Sequence, residues 1–505
     1  MLLQLLTKEK LRKLALPLKQ ILKSPLLNYL FLGLIGAIST LAFSPFDIKP
    51  IIFITLSVLI YSVISAKDFT QALKRSLSWG VGYWIVGTGW LIVSIYYYGN
   101  TSISISILII ALMGVLLSTV FIGPISFIKL LNLNHNILFK SLAITSLLTL
   151  LELSRFIFLG GFPWLLPGLV FIDTFVKFII PIAGVYGASF LAYFLCSFIA
   201  LSAFYKKRLL FMTSLFCLLL FLPYQSTQQE VTNESLNLSI IQPSLNTFTK
   251  FEQGAEIIIE DRLINLTKNN LEVDLIIWPE APLPYLNTSF QMSALIKKLD
   301  NSPYILSGAW EYKENGLNNI MTIFGTNQTY SKRHLVPFGE YVPFEGILRG
   351  LIEFFDLPMS SIQEGNSNQG FFRINDLKVL GMICFDIAFP LSYINEVRDA
   401  DFIINISNDT WFGNSYGPYQ HLQIVRLRAL EANKWIGRGT SDGISTIVDN
   451  KGTIVSILSK GNLGSLEGKI YKTNKSTFFY SFGYLIIPLI SMFVMMLVII
   501  LRLKQ

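Results

Sequence analysis

Eight apolar runs divide the chain. Seven cover about 27–45, 50–66, 77–98, 103–129, 137–160, 175–204 and 209–224; the eighth follows a long polar interval, at 478–501. A helix that crosses hydrocarbon needs roughly 20 apolar residues. The pattern therefore predicts about eight membrane spans, seven within residues 1–224 and one within 477–505. The first two runs are short and separated only by Pro45-Phe46-Asp47-Ile48-Lys49, which predicts a helical hairpin. Pro124 and Pro181 fall inside predicted spans, where neighbouring helices re-satisfy the carbonyls that a proline frees.

Between residues 225 and 476 the period changes. Short β-rich runs lie at 236–242, 275–278, 304–308, 379–384, 402–406 and 445–448, with amphipathic helical stretches such as 290–299 and 420–432 between them. This alternation predicts an α/β domain whose strands are buried on both faces. Asn450-Lys451-Gly452 reads as a hairpin turn between residues 445–449 and 453–458. Residues 341–370 show little periodicity and read as a long, mobile excursion, the kind of segment that serves as a lid when it is functional.

Composition sharpens this division. Only 14% of the residues are charged, too few for one soluble domain to cover its surface, since ordinary soluble domains carry roughly 25%. The net charge of +8 would suggest nucleic acid if it were evenly spread. It is not: residues 225–476 hold 21 Lys and Arg against 27 Asp and Glu, whereas the rest of the chain holds 19 against 5. The basic part is the apolar part, so its partner is a membrane, and the acidic outer part excludes nucleic acid.

Lys8, Lys10, Arg12, Lys13, Lys19, Lys23, Lys67, Lys74, Arg75, Lys129, Lys140, Lys206, Lys207, Arg208, Arg502 and Lys504 all fall in loops that alternate to one side. The positive-inside rule makes that side cytoplasmic, with both termini, and puts residues 225–476 outside. The long basic N-terminus, with no small-residue cleavage site after the first apolar run, argues against a cleavable signal peptide. Phe162-Pro163-Trp164-Leu165-Leu166-Pro167-Gly168 is apolar but too broken to span; it reads either as a segment dipping into the outer leaflet or as an interfacial aromatic anchor. Glu152 and Arg155, one helical turn apart, read as a local interfacial ion pair or a lipid-headgroup contact.

Three cysteines are present. Cys196 and Cys217 lie in apolar runs, as small buried hydrophobes do. Cys384 is the only cysteine of the outer domain and ends an apolar strand, a usual location for chemistry in α/β sheets. A thiol nucleophile needs a base, and its tetrahedral intermediate needs cationic or N–H stabilisation. His334 and His421 leave a Cys–His pair open. Glu280, just past the predicted strand and its Pro279, is a second candidate base, and Lys332 could face an oxyanion.

Taken together, Trp278-Pro279-Glu280, then Lys332-Arg333-His334-Leu335-Val336-Pro337-Phe338-Gly339-Glu340, then Ile383-Cys384-Phe385-Asp386 resemble the Glu-Lys-Cys triad of the nitrilase (carbon–nitrogen hydrolase) superfamily. With the multispan N-terminus, the 332–343 stretch and Asn408-Asp409-Thr410-Trp411-Phe412-Gly413, the whole chain resembles the apolipoprotein N-acyltransferases.

The resemblance implies a membrane domain plus an extracytoplasmic, nitrilase-like α-β-β-α sandwich in a bacterial inner membrane, the catalytic domain facing the periplasm. It implies acyl transfer from a phospholipid, chiefly phosphatidylethanolamine, through a Cys384 thioester to the α-amino group of a diacylglyceryl apolipoprotein. A membrane-tethered amidase with the same triad is the alternative. Glu280 would be the base, and Lys332 with the Phe385 N–H would hold the oxyanion. Glu340 would orient Lys332 or the amine. No metal or cofactor is implied, and a monomer suffices. Phe385 and Asp386 stand where the family commonly has Tyr and Glu, and Phe248 and Phe251 where it often has a Trp near the site. Trp411 and Phe412 are candidates for lining the substrate cleft.

Overall fold

The computed structural model describes residues 24–99, 101–131, 136–224, 234–245, 254–300, 302–314, 316–343, 346, 361–473 and 475–503. Lys8 to Lys23, Phe248, Phe251, Lys504 and most of 344–360 lie outside the described residues.

Five described helical segments are long and apolar enough to cross a membrane: Pro25–Ala42, Ile103–Leu130, Ile137–Ser154, Phe175–Phe204 and Phe479–Leu503. Two apolar helices, Pro50–Ile64 and Arg208–Phe221, are shorter. The third predicted span differs from its sequence reading. It is a helix over Phe69–Gly87 that turns by 61° into Leu91–Tyr97. Asp68 caps its start by accepting from the Gln71 N–H, a polar signal that set the boundary eight residues before the apolar run.

The prolines act as boundaries, not as tolerated interior residues. The α-helix Ile103–Phe121 stops before Pro124, where a 3-10 stretch, Gly123–Leu131, takes over. Pro181 sits in the first turn of the helix Ile180–Phe204, where its missing N–H costs nothing. That helix breaks at Gly184, and the freed Val185 N–H donates to Glu431 Oε1, 2.7 Å away in the α/β domain.

The α/β domain holds twelve described strands in two six-stranded sheets. The first contains β1 (Ser235–Gln242), β2 (Leu275–Ile277), β3 (Tyr304–Lys313), β4 (Gly316–Ile323), β5 (Thr329–Ser331) and β12 (Gly464–Tyr471), in the order β12-β1-β2-β3-β4-β5. The second contains β6 (Phe372–Ile374), β7 (Leu377–Ile383), β8 (Phe402–Ser407), β9 (Ile436–Thr440), β10 (Ser445–Val448) and β11 (Ile454–Leu458), in the order β11-β10-β9-β8-β7-β6. Within each sheet the central strands, β1-β2-β3 and β7-β8-β9, run parallel.

The two sheets pack face to face. A Cβ on Gly437 would stand 3.0 Å from Ile404 Cδ1 and 3.1 Å from Leu238 Cδ1, so glycine lets β9 approach β1. Helices Ala255–Lys268 and Phe290–Lys298 cover the first sheet, joining Ile259, Leu263, Met292 and Leu295 to Ile241, Ile276 and Trp278. Helix Gly417–Ala432 lies on the second sheet's side and also touches the membrane helices.

Polar pairs stitch that helix to the apolar segments. Gln420 Oε1 accepts from the indoles of Trp90 (3.1 Å) and Trp164 (2.7 Å), and Arg426 holds Asp173 at 2.7 and 2.8 Å. Trp164, Leu165 and Leu166 are therefore buried in protein; the interfacial-anchor reading of this segment fails. The interfacial ion pair fails as well. Glu152 and Arg155 are both buried and bond elsewhere: Glu152 Oε2 accepts from the Tyr193 hydroxyl (2.7 Å), and Arg155 reaches the Trp164 carbonyl (3.4 Å).

Candidate active site

Buried parallel strands end at a common edge, and the residues just past their C-termini converge there. Glu280 follows β2, Lys332 follows β5, Cys384 follows β7 and Asn408 follows β8. A Cβ on Gly308 of β3 would lie 2.3 Å from the Ala281 nitrogen and 2.7 Å from Glu280 Cα, so only glycine lets β3 run against the loop that presents Glu280. The Gly308 N–H completes that contact by donating to the Pro279 carbonyl at 3.1 Å.

Lys332, 1% exposed, lies between two carboxylates: its ammonium is 2.7 Å from Glu340 Oε1 and 3.1 Å from Glu280 Oε1. Burial alone would lower its pKa, but Glu280 and Glu340 overcome that and raise it well above the ordinary lysine value. It is a fixed cation. Glu280 also accepts from Asn319 Nδ2 (2.7 Å) and, on its other oxygen, from the Asn408 N–H (2.8 Å). Glu340 Oε2 accepts from the Val336 N–H at 2.8 Å. Each carboxylate thus has both oxygens held, as buried ionised groups require.

Cys384 is buried, at φ +49°, in the left-handed region that non-glycine residues rarely occupy and that clusters at functional sites. The sharp strand-to-turn bend places it within electrostatic reach of both Glu280 and Lys332. Burial, and then the Glu280 carboxylate, push the thiol up, against Lys332. The resting group is a thiol, so a nucleophile here needs a base at the moment of attack.

Asp386, where a longer Glu is common, is fully buried. Its Oδ1 accepts from the N–H groups of Arg333 (3.2 Å) and His334 (2.8 Å), and its Oδ2 from the Ile383 N–H (3.0 Å) and the Tyr330 hydroxyl (2.8 Å). Burial opposes its charge, but the hydrogen bonds and charge of His334, with help from Lys332, hold its pKa below the usual carboxylate value. This carboxylate ties the chain just past Lys332 to the bend at Cys384. Phe385 packs edge-on against Phe389, with ring centroids 4.9 Å apart, and stands 6.4 Å from Trp164.

His334 lies against Phe389 and is held by Asp386 and Ser392. His421 faces the Cys384 carbonyl at 3.2 Å. Of the candidate bases, Glu280 is the one bonded directly to Lys332. Trp411 and Phe412 sit at the seam with the bent membrane helix: the Trp411 carbonyl accepts from Ser94 Oγ (2.7 Å), and the Phe412 ring meets Trp90 edge-on at 4.6 Å.

The excursion over 341–370 is anchored at both described ends. Tyr341 C=O accepts from the Phe338 N–H, and the Gly365 N–H donates to the Lys332 carbonyl at 2.8 Å. Asn319 and Asn408 are the partners that sequence reasoning missed as site residues; the available signal was an amide in, or just after, an otherwise apolar strand.

Cys384, Asp409 and His421 have potential ligand atoms within 4.8 Å of one another. A metal does not fit them, because Arg438 already bonds Asp409 Oδ2 at 2.7 Å and lies 3.1 Å from His421 Nδ1, so a fixed cation occupies the site.

Comparison with known proteins agrees over most of the chain. Residues 35–198 match the family described as Apolipoprotein N-acyltransferase N-terminal domain, and residues 239–472 match Carbon-nitrogen hydrolase. The chain is 31% identical over 471 residues to the apolipoprotein N-acyltransferase of Pseudomonas syringae pv. tomato, covering 88% of this chain and 90% of that one. It is 32% identical to the enzyme of that name from Haemophilus influenzae, with coverage of 85% and 86%. The corresponding values for Vibrio cholerae are 30%, 92% and 95%.

Proposed function

We propose a specific chemistry for this chain, which belongs to the apolipoprotein N-acyltransferase family: Cys384 takes an acyl group from a membrane phospholipid as a thioester and passes it to the N-terminal amine of a lipoprotein. The enzyme is an acyltransferase acting in lipoprotein maturation. The observation that carries the proposed route is the convergence of Glu280, Lys332 and Cys384 at the strand ends, with Lys332 clamped as a buried cation.

In the first half-reaction Glu280 takes the thiol proton while Sγ attacks the ester carbonyl carbon. The oxyanion is met by the Lys332 ammonium and the Phe385 N–H. Collapse breaks the C–O bond, and Glu280 returns the proton to the departing lysophospholipid oxygen. In the second, the lipoprotein amine attacks the thioester, Glu280 takes its proton, and collapse breaks the C–S bond and regenerates the thiol. Both halves develop charge on the same oxygen, so one fixed cation serves both. Glu340 acts by holding Lys332.

Eight apolar segments carry the domain in this reading: the five long ones, the bent pair, and the two shorter helices Pro50–Ile64 and Arg208–Phe221. The seven before residue 225 form the membrane domain 1–224. The domain 225–476 lies on the periplasmic side, the last span is within 477–505, and both termini are cytoplasmic. The basic loops support that orientation. With both substrates bilayer-anchored, a monomer is enough for the encounter.

The test is to incubate the purified protein in detergent with phosphatidylethanolamine and weigh the Cys384 peptide. The expected result is a fatty acyl mass on that peptide with one lysophospholipid released per adduct, discharged when diacylglyceryl peptide is added. Ammonia release from amides, with no acyl adduct, would instead establish the amidase reading.

A further inference from the structure

Behind the nucleophile lies a second buried charged cluster that the acyl-transfer chemistry leaves unused. His421, Asp409, Arg438, Asn405 and Ser407 are all buried, with exposures of 0–1%. His421 Nε2 stands 3.2 Å from the Cys384 carbonyl oxygen. A carbonyl only accepts, so this nitrogen carries the hydrogen. His421 Nδ1 is 3.1 Å from both Asp409 Oδ1 and Arg438 Nη2.

In a neutral ring Nδ1 then accepts one Arg438 hydrogen, and the remaining bonds close around it. The second Arg438 Nη2 hydrogen goes to Asp409 Oδ2 (2.7 Å), the Ser407 hydroxyl to Asp409 Oδ1 (2.7 Å), and Arg438 Nη1 to Asn405 Oδ1. Asn405 in turn donates to the Met382 carbonyl of β7 at 3.0 Å. Burial, and then the Arg438 cation, hold the imidazole below its ordinary pKa, which agrees with a neutral resting ring.

What this network grips is a peptide plane. The C=O and N–H of a trans peptide are coplanar and point in opposite directions. The plane that carries the Cys384 carbonyl also carries the Phe385 N–H. Phe385 is the second residue of the turn Cys384–Ala388, so its N–H is among the first-turn donors that have no intrahelical acceptor. The cysteine at its start has φ +49°, a conformation that persists only where the surroundings enforce it.

We infer that His421 is a positioning residue: its Nε2–H holds the Cys384–Phe385 peptide plane so that the Phe385 N–H faces the forming oxyanion, and Arg438, itself held by Asp409, donates to Nδ1 and so fixes the tautomer that makes this possible. The inference rests on the reading of Cys384 as nucleophile.

Three variants of the full-length protein separate the possibilities. His421→Gln keeps an N–H where Nε2 stood, His421→Asn keeps only a polar atom near Nδ1, and His421→Leu keeps neither. The rate of Cys384 acylation by phosphatidylethanolamine, and the rate of iodoacetamide alkylation at the same cysteine, are read by mass. His421→Asn and His421→Leu are expected to acylate about a hundredfold more slowly, as when an oxyanion donor is lost, through kcat with KM for phospholipid unchanged. Their alkylation should stay at the wild-type rate, and His421→Gln should recover most of the acylation rate.

Acylation of His421→Asn at the wild-type rate would overturn the inference. So would a Gln variant as slow as Leu, or acylation and alkylation falling in proportion, which marks mere misfolding. Where His421→Leu does not fold, the Asn–Gln pair carries the test. Absence of any Cys384 adduct in the wild-type protein is a different result, and removes the nucleophile reading itself.

Discussion

Two sets of buried Glu and a basic residue in this molecule are built differently. In the α/β domain Lys332 touches two carboxylates at 2.7 and 3.1 Å, and those carboxylates take further bonds from Asn319, Asn408 and Val336. Among the apolar helices Glu152 and Arg155 lie one turn apart yet do not pair. Among the described residues, one Glu152 oxygen and the Arg155 Nε have no hydrogen-bond partner, and the guanidinium lies over the Trp84 ring at 5.0 Å and the Phe121 ring at 5.8 Å. The first set is preorganised to present one charge in one place, which is what transition-state stabilisation needs. The second braces the backbone: Arg155 holds the Trp164 carbonyl, and the Trp164 indole holds Gln420 beside the site. Burial of a charge is therefore no guide to its task; the completeness of its bonding is.

The comparison is sharpest at Lys332. Lys332→Met removes the cation of the proposed oxyanion site and leaves two carboxylates uncompensated. Acyl-adduct formation should fall by about 10³-fold or more, and the thermal midpoint should drop as expected for a broken buried pair, about 3–5 kcal/mol. Full activity in this variant would break the distinction outright.

Asp386→Asn comes next. The carboxylate's pKa lies below its ordinary 3.8 in the folded protein. Its contribution to stability is therefore complete above that value and is lost as pH falls below it toward the folded-state pKa. The wild-type protein should be the more stable of the two at pH 7, and the gap should close as pH drops below about 4, read as thermal midpoints in detergent. A gap that stays constant with pH would show that the effect is packing, not charge.

The smallest changes belong to the membrane-side pair. Arg155→Met should leave the chemistry intact and lower activity by at most about tenfold through a loosened Trp164; a loss as large as that of Lys332→Met in a folded protein would show that the two sets do one job. Glu152→Gln keeps an acceptor for the Tyr193 hydroxyl and should shift stability by less than about 1 kcal/mol.

Much of the fold was legible because long apolar runs have one physical solution in a bilayer and alternating short runs have few in water. Where sequence reading failed, tertiary contacts had overridden local pattern. β9, Ile-Gly-Arg-Gly-Thr, looks like a loop, yet its glycines admit the facing sheet and its arginine is fully buried in the His421 network. β4 hides behind Asn318 and Asn319, polar residues that look surface-bound until Asn319 is seen holding Glu280. The helix boundary at Phe69 was missed because capping by Asp68, not hydrophobicity, sets it.

The sequence by itself determined the division into apolar and α/β parts, which follows from hydropathy period, and its resemblance to the nitrilase superfamily singled out Glu280, Lys332 and Cys384 together. Only the tertiary structure decided that Glu340 clamps Lys332, that Asp386 ties Lys332's chain to the cysteine bend, that Trp164 is buried against Gln420, and that His421 faces the Cys384 carbonyl. Those assignments depend on distances of about 3 Å between residues from eight to hundreds of positions apart, and hydrogen bonding is too short-ranged for any local pattern to encode which of them close.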